Sequence, residues 1–335
     1  MARREPGQAS GGLVTSGRID VHAHYVPAEL QASVPAAPIF RGFATWDPRA
    51  ALEMMDRQGI ATAVLSMVLW TAMFAAADDT AAARRVARAS NEAAADAIRS
   101  HPGRFGGFAR LPLPDVDAAL AEIDYALGTL RLDGVVLLTN HDGVYLGDSR
   151  LDPVLDELNR RKAVVFLHPT LPACVERTSL GYAPSLIEFV FDTTRAVTHL
   201  VLSGTLERCP DLQLIVPHAG GTIPFLADRI SLLAARFVPG TATHAPAGVK
   251  AYLRLLYYEL AISTNQHAVA SVLQLVGPER LLYGSDWPAL EEADVQHLIQ
   301  VLSSNPLLRP DEQARIERQN ALELFPRLQP GAAAR

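Results

Sequence analysis

Cysteine is almost missing from this chain: Cys174 and Cys209 are the two present in 335 residues, and they form no C-x-x-C pair. A disulfide framework or a zinc finger therefore has no support, and a reducing cytosol is the simplest expected compartment. No uninterrupted apolar run is long enough to span a bilayer, so no membrane partner is expected. A basic surplus is missing too. The formal charge of −6 leaves no positive stripe for a phosphate backbone, which removes nucleic acid from the expected partners. The G-x-G-x-x-G turn of dinucleotide-binding sheets does not follow the first strand-like run.

What remains is a chain that is 49% hydrophobic and 20% charged, a balance that suits a large buried core. Its length fits two average domains or one α/β barrel. Residues 1–17 are rich in Gly, Ser, Arg and Ala and lack the apolar core of a secretory signal, so a disordered lead is expected there. A loose tail is expected over 327–335, leaving 18–326 as the folded domain.

Within that domain the pattern repeats. Apolar, β-rich runs fall at 18–21, 61–67, 104–111, 134–139, 163–168, 212–217, 255–262 and 280–283. Helical stretches separate them at about 47–59, 78–100, 115–130, 152–161, 185–208, 223–237 and 266–276, and helices close the chain. Asp47-Pro48 and Asp152-Pro153 are start signals, a capping carboxylate or first-turn acid with proline in the first turn. The strand runs are continuously apolar rather than alternating, as in strands buried on both faces. Eight β-then-α units predict a parallel (β/α)8 TIM barrel with a small insertion after strand 1, over about 27–47. A doubly wound open sheet is the runner-up.

A barrel of this type builds its active site at the C-terminal ends of its strands. His22 and His24 end the first run, and an extended strand points residues i and i+2 to one face. His168 ends the fifth run, His218 the sixth, and Asp286 the eighth, in Gly284-Ser285-Asp286-Trp287-Pro288. Each taken alone could be a loop-bonding histidine or a helix cap. Together they are metal-type ligands at four of eight strand ends, where packing alone asks for Val, Ile and Leu. His141, after the fourth run, is a weaker candidate for the pocket, and Cys174 lacks the setting of a nucleophile.

The set Asp20-x-His22-x-His24, His168-Pro169, His218-Ala219-Gly220-Gly221 and Gly284-Ser285-Asp286-Trp287-Pro288 resembles the amidohydrolase superfamily. More narrowly it is similar to the branch of aminocarboxymuconate-semialdehyde and hydroxybenzoate decarboxylases, over nearly the whole of 18–326. The stretches Asn159-Arg160-Arg161, Asp192-Thr193-Thr194-Arg195 and 142–147 look most like 6-methylsalicylate decarboxylases. The resemblance implies that His22, His24, His168 and Asp286 bind one Zn2+ or Mn2+, with His218 beside them. Asp286 and His218 would be the catalytic groups. Arg229 would reach the neighbouring subunit's pocket and hold the substrate carboxylate, implying a homodimer. Arg41 and Trp46 are further expected substrate contacts, with Phe40, Phe43, Trp70 and Phe191 as possible ring walls. No lysine stands near the fifth strand's end to bridge two metals, Lys162 lying at its start, so a binuclear hydrolase is disfavoured.

The implied reaction is non-oxidative loss of CO2 from an ortho-hydroxy aromatic carboxylate such as 6-methylsalicylate. It requires protonation of the ring carbon that bears the carboxylate, by Asp286 or through His218. Other readings stay open: a lactone or amide hydrolase with the same ligands, a decarboxylase of an aminocarboxymuconate semialdehyde, an isomerase or hydratase of an unsaturated acid, and a non-catalytic barrel.

Overall fold

A computed structural model describes residues 17–37, 40–69, 73–74 and 79–329. Trp70, nearly all of the expected lead and the last six residues of the expected tail lie outside the described residues. Eight strands alternate with eight main helices: β1 (Arg18–His24), α1 (Pro48–Gln58), β2 (Ile60–Ser66), α2 (Thr80–Ser100), β3 (Phe105–Arg110), α3 (Val116–Ile123), β4 (Gly134–Leu138), α4 (Asp152–Arg160), β5 (Val164–His168), α5 (Glu188–Leu202), β6 (Gln213–Val216), α6 (Ile223–Phe237), β7 (Tyr257–Glu259), α7 (Gln266–Leu273), β8 (Leu281–Leu282) and α8 (Glu292–Ser303). All neighbouring strand pairs are parallel and follow chain order. The last strand returns to the first through backbone bonds, with Val21 N donating to Tyr283 O at 3.0 Å and Asp286 N donating to His22 O at 2.8 Å. The (β/α)8 barrel expected from the alternation is the fold.

Local chemistry explains the boundaries. Asp47 Oδ1 accepts from the amides of Arg49 and Ala50 at 2.9 and 3.0 Å, and Pro48 supplies the first helical residue of α1. The helix expected at 185–208 is two. Gly204 adopts φ +83° after α5 and separates it from a short turn at Thr205–Arg208. The run expected at 255–262 narrows to the three residues of β7. The insertion after β1 carries two short helices, Ala28–Gln31 and Arg41–Ala44.

The barrel interior is filled by Val64, Phe108, Val136, Phe166, Ile215 and Leu282, joined by Ile19 and Val21. Ala321, Leu324 and Phe325 from the C-terminal segment pack against the same cluster. Arg327, just past the boundary expected at 326, pairs with Asp133 at 2.6 Å. The filled interior leaves only the C-terminal mouth for chemistry.

Candidate metal centre

β1 reaches that mouth with a change of phase. Against β2 it pairs Asp20 with Ala63 but Ala23 with Leu65, so one extra residue bulges out of the ladder. Ile19 and Val21 belong to the interior before the bulge, and His22 and His24 face it afterwards. The His22 ring meets Phe166 inside the barrel, with centroids 4.9 Å apart. Asp20 holds the bulge. Its Oδ1 accepts from the amides of His22 and Ser285, each at 3.0 Å, and its Oδ2 from the Ser285 hydroxyl at 2.5 Å. Burial raises the Asp20 carboxyl to about 6, against the lowering effect of those bonds.

Each of the three strand-end imidazoles has its Nδ1 engaged. His22 Nδ1 donates to Glu259 Oε2 at 2.7 Å, His24 Nδ1 to Ser66 Oγ at 2.9 Å, and His168 Nδ1 to the Pro169 carbonyl at 2.8 Å. A carboxylate and a carbonyl accept only, and Ser66 Oγ spends its own proton on the Ala23 carbonyl at 3.1 Å. These partners fix the tautomers, and every Nε2 is left with a lone pair.

Those lone pairs converge. His22 Nε2 and His24 Nε2 lie 3.1 Å apart, and Asp286 Oδ1 is 3.3 and 3.0 Å from them. The ligand atoms of His22, His24, His168 and Asp286 all fall within 4.8 Å of one another, and all four residues are buried. Lone pairs so close repel unless a cation lies between them. A tetrahedral zinc with bonds of about 2.0–2.1 Å places its ligands roughly 3.3 Å apart. The donor set of three imidazoles and one carboxylate therefore fits a single divalent ion, and suits zinc or manganese alike.

The electrostatics favour positive charge at this point, whether a proton on His22 or a metal cation in its place. Burial alone disfavours charge on His22, but the Asp286 and Glu259 carboxylates outweigh it and lift the imidazole to about 10. Burial pulls His24 down, and takes His168 far down with the neighbouring imidazoles adding to the effect. Burial pushes Asp286 up, yet the three imidazoles around it hold its carboxyl well below the usual range. The pocket around Asp286 is thus polar, not the apolar setting that would keep a carboxyl protonated at neutral pH.

His218 stands opposite the ligands, with its Nε2 3.5 Å from Asp286 Oδ2. Neither of its ring nitrogens meets a hydrogen-bond partner among the described residues. His218 and Asp286 both sit at left-handed φ, 54° and 58°, a strained backbone that turns each side chain into the cleft.

Glu259 was not visible in the sequence reading. It lies at the end of β7, fully buried, and receives His22 Nδ1, the His218 amide and the Ala261 amide. A lone acid inside the apolar run 255–262 was the signal. Gly284 leaves room for it: a Cβ there would lie 2.6 Å from His22 Cβ and would collide with the Glu259 carboxylate.

Of the other expected contacts, Phe43 meets this cluster, while Trp46, Arg41, Arg229 and Phe191 are buried or exposed elsewhere. Trp46 is buried edge-on to Tyr25, at 5.6 Å, and Phe43 from the same insertion is the ring stacked on His24, at 5.8 Å. Arg41 and Arg229 are exposed, on the Arg41–Ala44 turn and on α6, and Phe191 is exposed on α5. Lys162 lies at the far end of β5, exposed and 3.7 Å from Asp211.

The comparisons with known proteins agree with this geometry. The family profile described as Amidohydrolase matches residues 19–327. A decarboxylase of Aspergillus niger is 34% identical over 93% of this chain and 88% of its own. A 6-methylsalicylic acid decarboxylase of Penicillium expansum is 32% identical over 93% of this chain and 97% of its own. Among solved structures, a dihydroxybenzoic acid decarboxylase of Polaromonas sp. with bound manganese and 2-nitroresorcinol superposes with a TM-score of 0.81. It covers 95% of this chain and 99% of that one at 22% identity, a likeness of fold.

Proposed function

The chain belongs to the amidohydrolase family, and on that premise we propose that its metal centre serves the non-oxidative decarboxylation of an ortho-hydroxy aromatic acid such as 6-methylsalicylate. The enzyme is a metal-dependent carboxy-lyase; the relatives that match along the barrel are decarboxylases by name, and the buried cluster here supplies the metal ligands. The observation that carries the reading is the convergence of three Nε2 lone pairs and Asp286, with His218 facing them. Among the described residues the cluster is three imidazoles and one carboxylate, a donor set for one ion.

Zn2+ or Mn2+ held by His22, His24, His168 and Asp286 would supply Lewis acidity and a fixed point for the substrate's oxygens. The protein's own part is the proton. His218 would pass it to the ring carbon, with the ionised Asp286 carboxylate 3.5 Å from its Nε2 as its partner. Phe43, stacked on His24, closes one side of the site against water. Arg41 lies on the same insertion and offers forked donors to a carboxylate, while Trp46 supports that insertion from beneath. Arg229 belongs to the site of a second subunit. It shares α6 with Phe225, Leu232 and Phe237, which are 82, 71 and 66% exposed, an apolar face suited to a homodimer. Among the described residues no helix is long and apolar enough to cross a membrane. The free thiols of Cys174 and Cys209 suit a reducing cytosol.

The test is to incubate metal-replete protein with a panel of salicylates and follow CO2 and the phenol by chromatography. Release of both in equal amounts is expected. If esters or lactones are hydrolysed while no panel member loses CO2, the reaction is hydrolytic and the proposal fails.

A further inference from the structure

Beyond the metal ligands, the mouth of the barrel holds a second polar position that the chemistry above does not use. β4 continues into a hairpin, Asn140–His141 paired with Val144–Tyr145, on the rim beside β5. Leu138 is in register with His168, and the Thr139 amide donates to the His168 carbonyl at 2.9 Å. The hairpin is anchored. The fully buried Asp192 carboxylate on α5 accepts from the hydroxyls of Thr139 and Tyr145 and from Asn140 Nδ2 at 3.0 Å. His141, between those anchors, therefore has a fixed position.

His141 lines two spaces that share Leu113 and Leu138 as walls. One is a cavity of about 700 Å3 bounded also by Leu113, Leu138 and Thr170. The other is a recess of about 20 Å3, formed with Met67, Arg110 and Val136 and sharing Leu113, Leu138 and His141 with the first. The recess has room for one oxygen atom. His141 Nε2 is buried and meets no hydrogen-bond partner among the described residues. Burial, then the nearby Arg110 charge, pushes the imidazole down to about 3, so it is neutral and offers one donor and one acceptor. Arg110 Nη1 is committed to the carbonyls of Met67 and Leu69, at 3.2 and 2.6 Å.

A buried polar nitrogen without a partner costs about 1–3 kcal/mol. A trapped water needs two to four polar partners, and leucine, valine and methionine make up much of this recess. An oxygen carried on a ring needs only one partner, because its other bond is covalent. We propose that this recess is a specificity subsite, in which His141 hydrogen-bonds an oxygen substituent of the aromatic substrate. The proposal rests on the aromatic-acid reading above, and names the position in the cleft at which ring substitution is sensed. His141 is then a specificity-determining residue, separate from the metal and from the proton-carrying His218.

The experiment compares ring hydroxyl with ring methyl at one position, using phenols and salicylates so substituted. Calorimetry gives their Kd for metal-loaded wild type, His141→Phe and His141→Gln, and CO2 release is followed in parallel. Wild type should prefer the hydroxylated member by about 5- to 100-fold. His141→Phe should abolish the preference with metal content unchanged, and His141→Gln should restore part of it. A preference that persists in His141→Phe overturns the subsite, as does a crystal structure with a hydroxylated ring bound elsewhere and only water in the recess. If the preference is seen and is lost in His141→Phe while no member releases CO2, the subsite stands and the decarboxylase reading falls. If CO2 is released while wild type shows no preference, the subsite falls and the reading stands. If wild type binds no member and releases no CO2, both fail.

Discussion

Replacing Glu259 with glutamine tests whether the metal site is built from behind. Glu259 touches no position where a metal would sit, yet its Oε2 accepts from His22 Nδ1 at 2.7 Å with both side chains fully buried. Its two oxygens receive three N–H donors, from His22, His218 and Ala261. Glutamine keeps the shape but replaces one oxygen with an amide nitrogen, so at least one buried donor faces another donor. Leaving such a group unsatisfied costs about 1–3 kcal/mol. The His22 ring also loses the carboxylate that fixes its tautomer and raises its basicity. Loss of an outer partner of this kind typically lowers metal affinity about 10- to 100-fold, or about 1.4 to 2.7 kcal/mol. The assay is competition for metal against a chelator of known affinity, with content checked by mass spectrometry and folding by circular dichroism. Affinity within twofold of wild type in a folded Glu259→Gln protein would refute the claim that this buried pair orients the ligand.

Four further outcomes follow from the same geometry. His168→Ala should lose bound metal, whereas His218→Ala should retain most metal and lose turnover; equal metal loss in both would make His218 a plain ligand. Gly284→Ala should lower Tm and metal content together, because the added methyl meets His22 Cβ at 2.6 Å and overpacking of this kind costs about 1–3 kcal/mol; a normal melting curve and full metal loading would contradict it. Arg229→Ala should raise KM for the aromatic acid by at least about tenfold with a smaller change in kcat, and activity regained on mixing it with Asp286→Asn would place the arginine in the partner's site. The Cys209 thiol is buried and pushed up to about 11, so it should resist an aromatic disulfide reagent at pH 8 until the protein unfolds. The raised value also sets a sign: its contribution to stability is complete below the unfolded value near 9 and is lost as pH climbs through 11.

The barrel and most of the metal centre were legible in the sequence for one physical reason. Strands buried on both faces must be continuously apolar, so a titratable residue at their ends stands out. His22, His24, His168, His218 and Asp286 all announced themselves in this way. Helix starts were legible at Asp47-Pro48 because capping is local chemistry.

Tertiary structure decided what depends on distance along the chain. The bulge after Asp20 turns the two histidines inward, and it exists because Ser285, 265 residues away, shares the Asp20 carboxylate. Glu259 lay unmarked inside the run expected at 255–262, and the closed barrel ends β7 there and brings its carboxylate to His22, 237 residues off. The fold also surrounds Asp286 with the imidazoles of His22, His24 and His218, which hold its carboxyl well below the usual range. Trp46, expected at the substrate, is buried edge-on to Tyr25 with ring centroids 5.6 Å apart. The sequence determined which residues were available to the site and at which end of each strand they stood. Only the closed barrel decided which atoms face one another, since hydrogen bonds and ligand spacing are set by register and packing between strands.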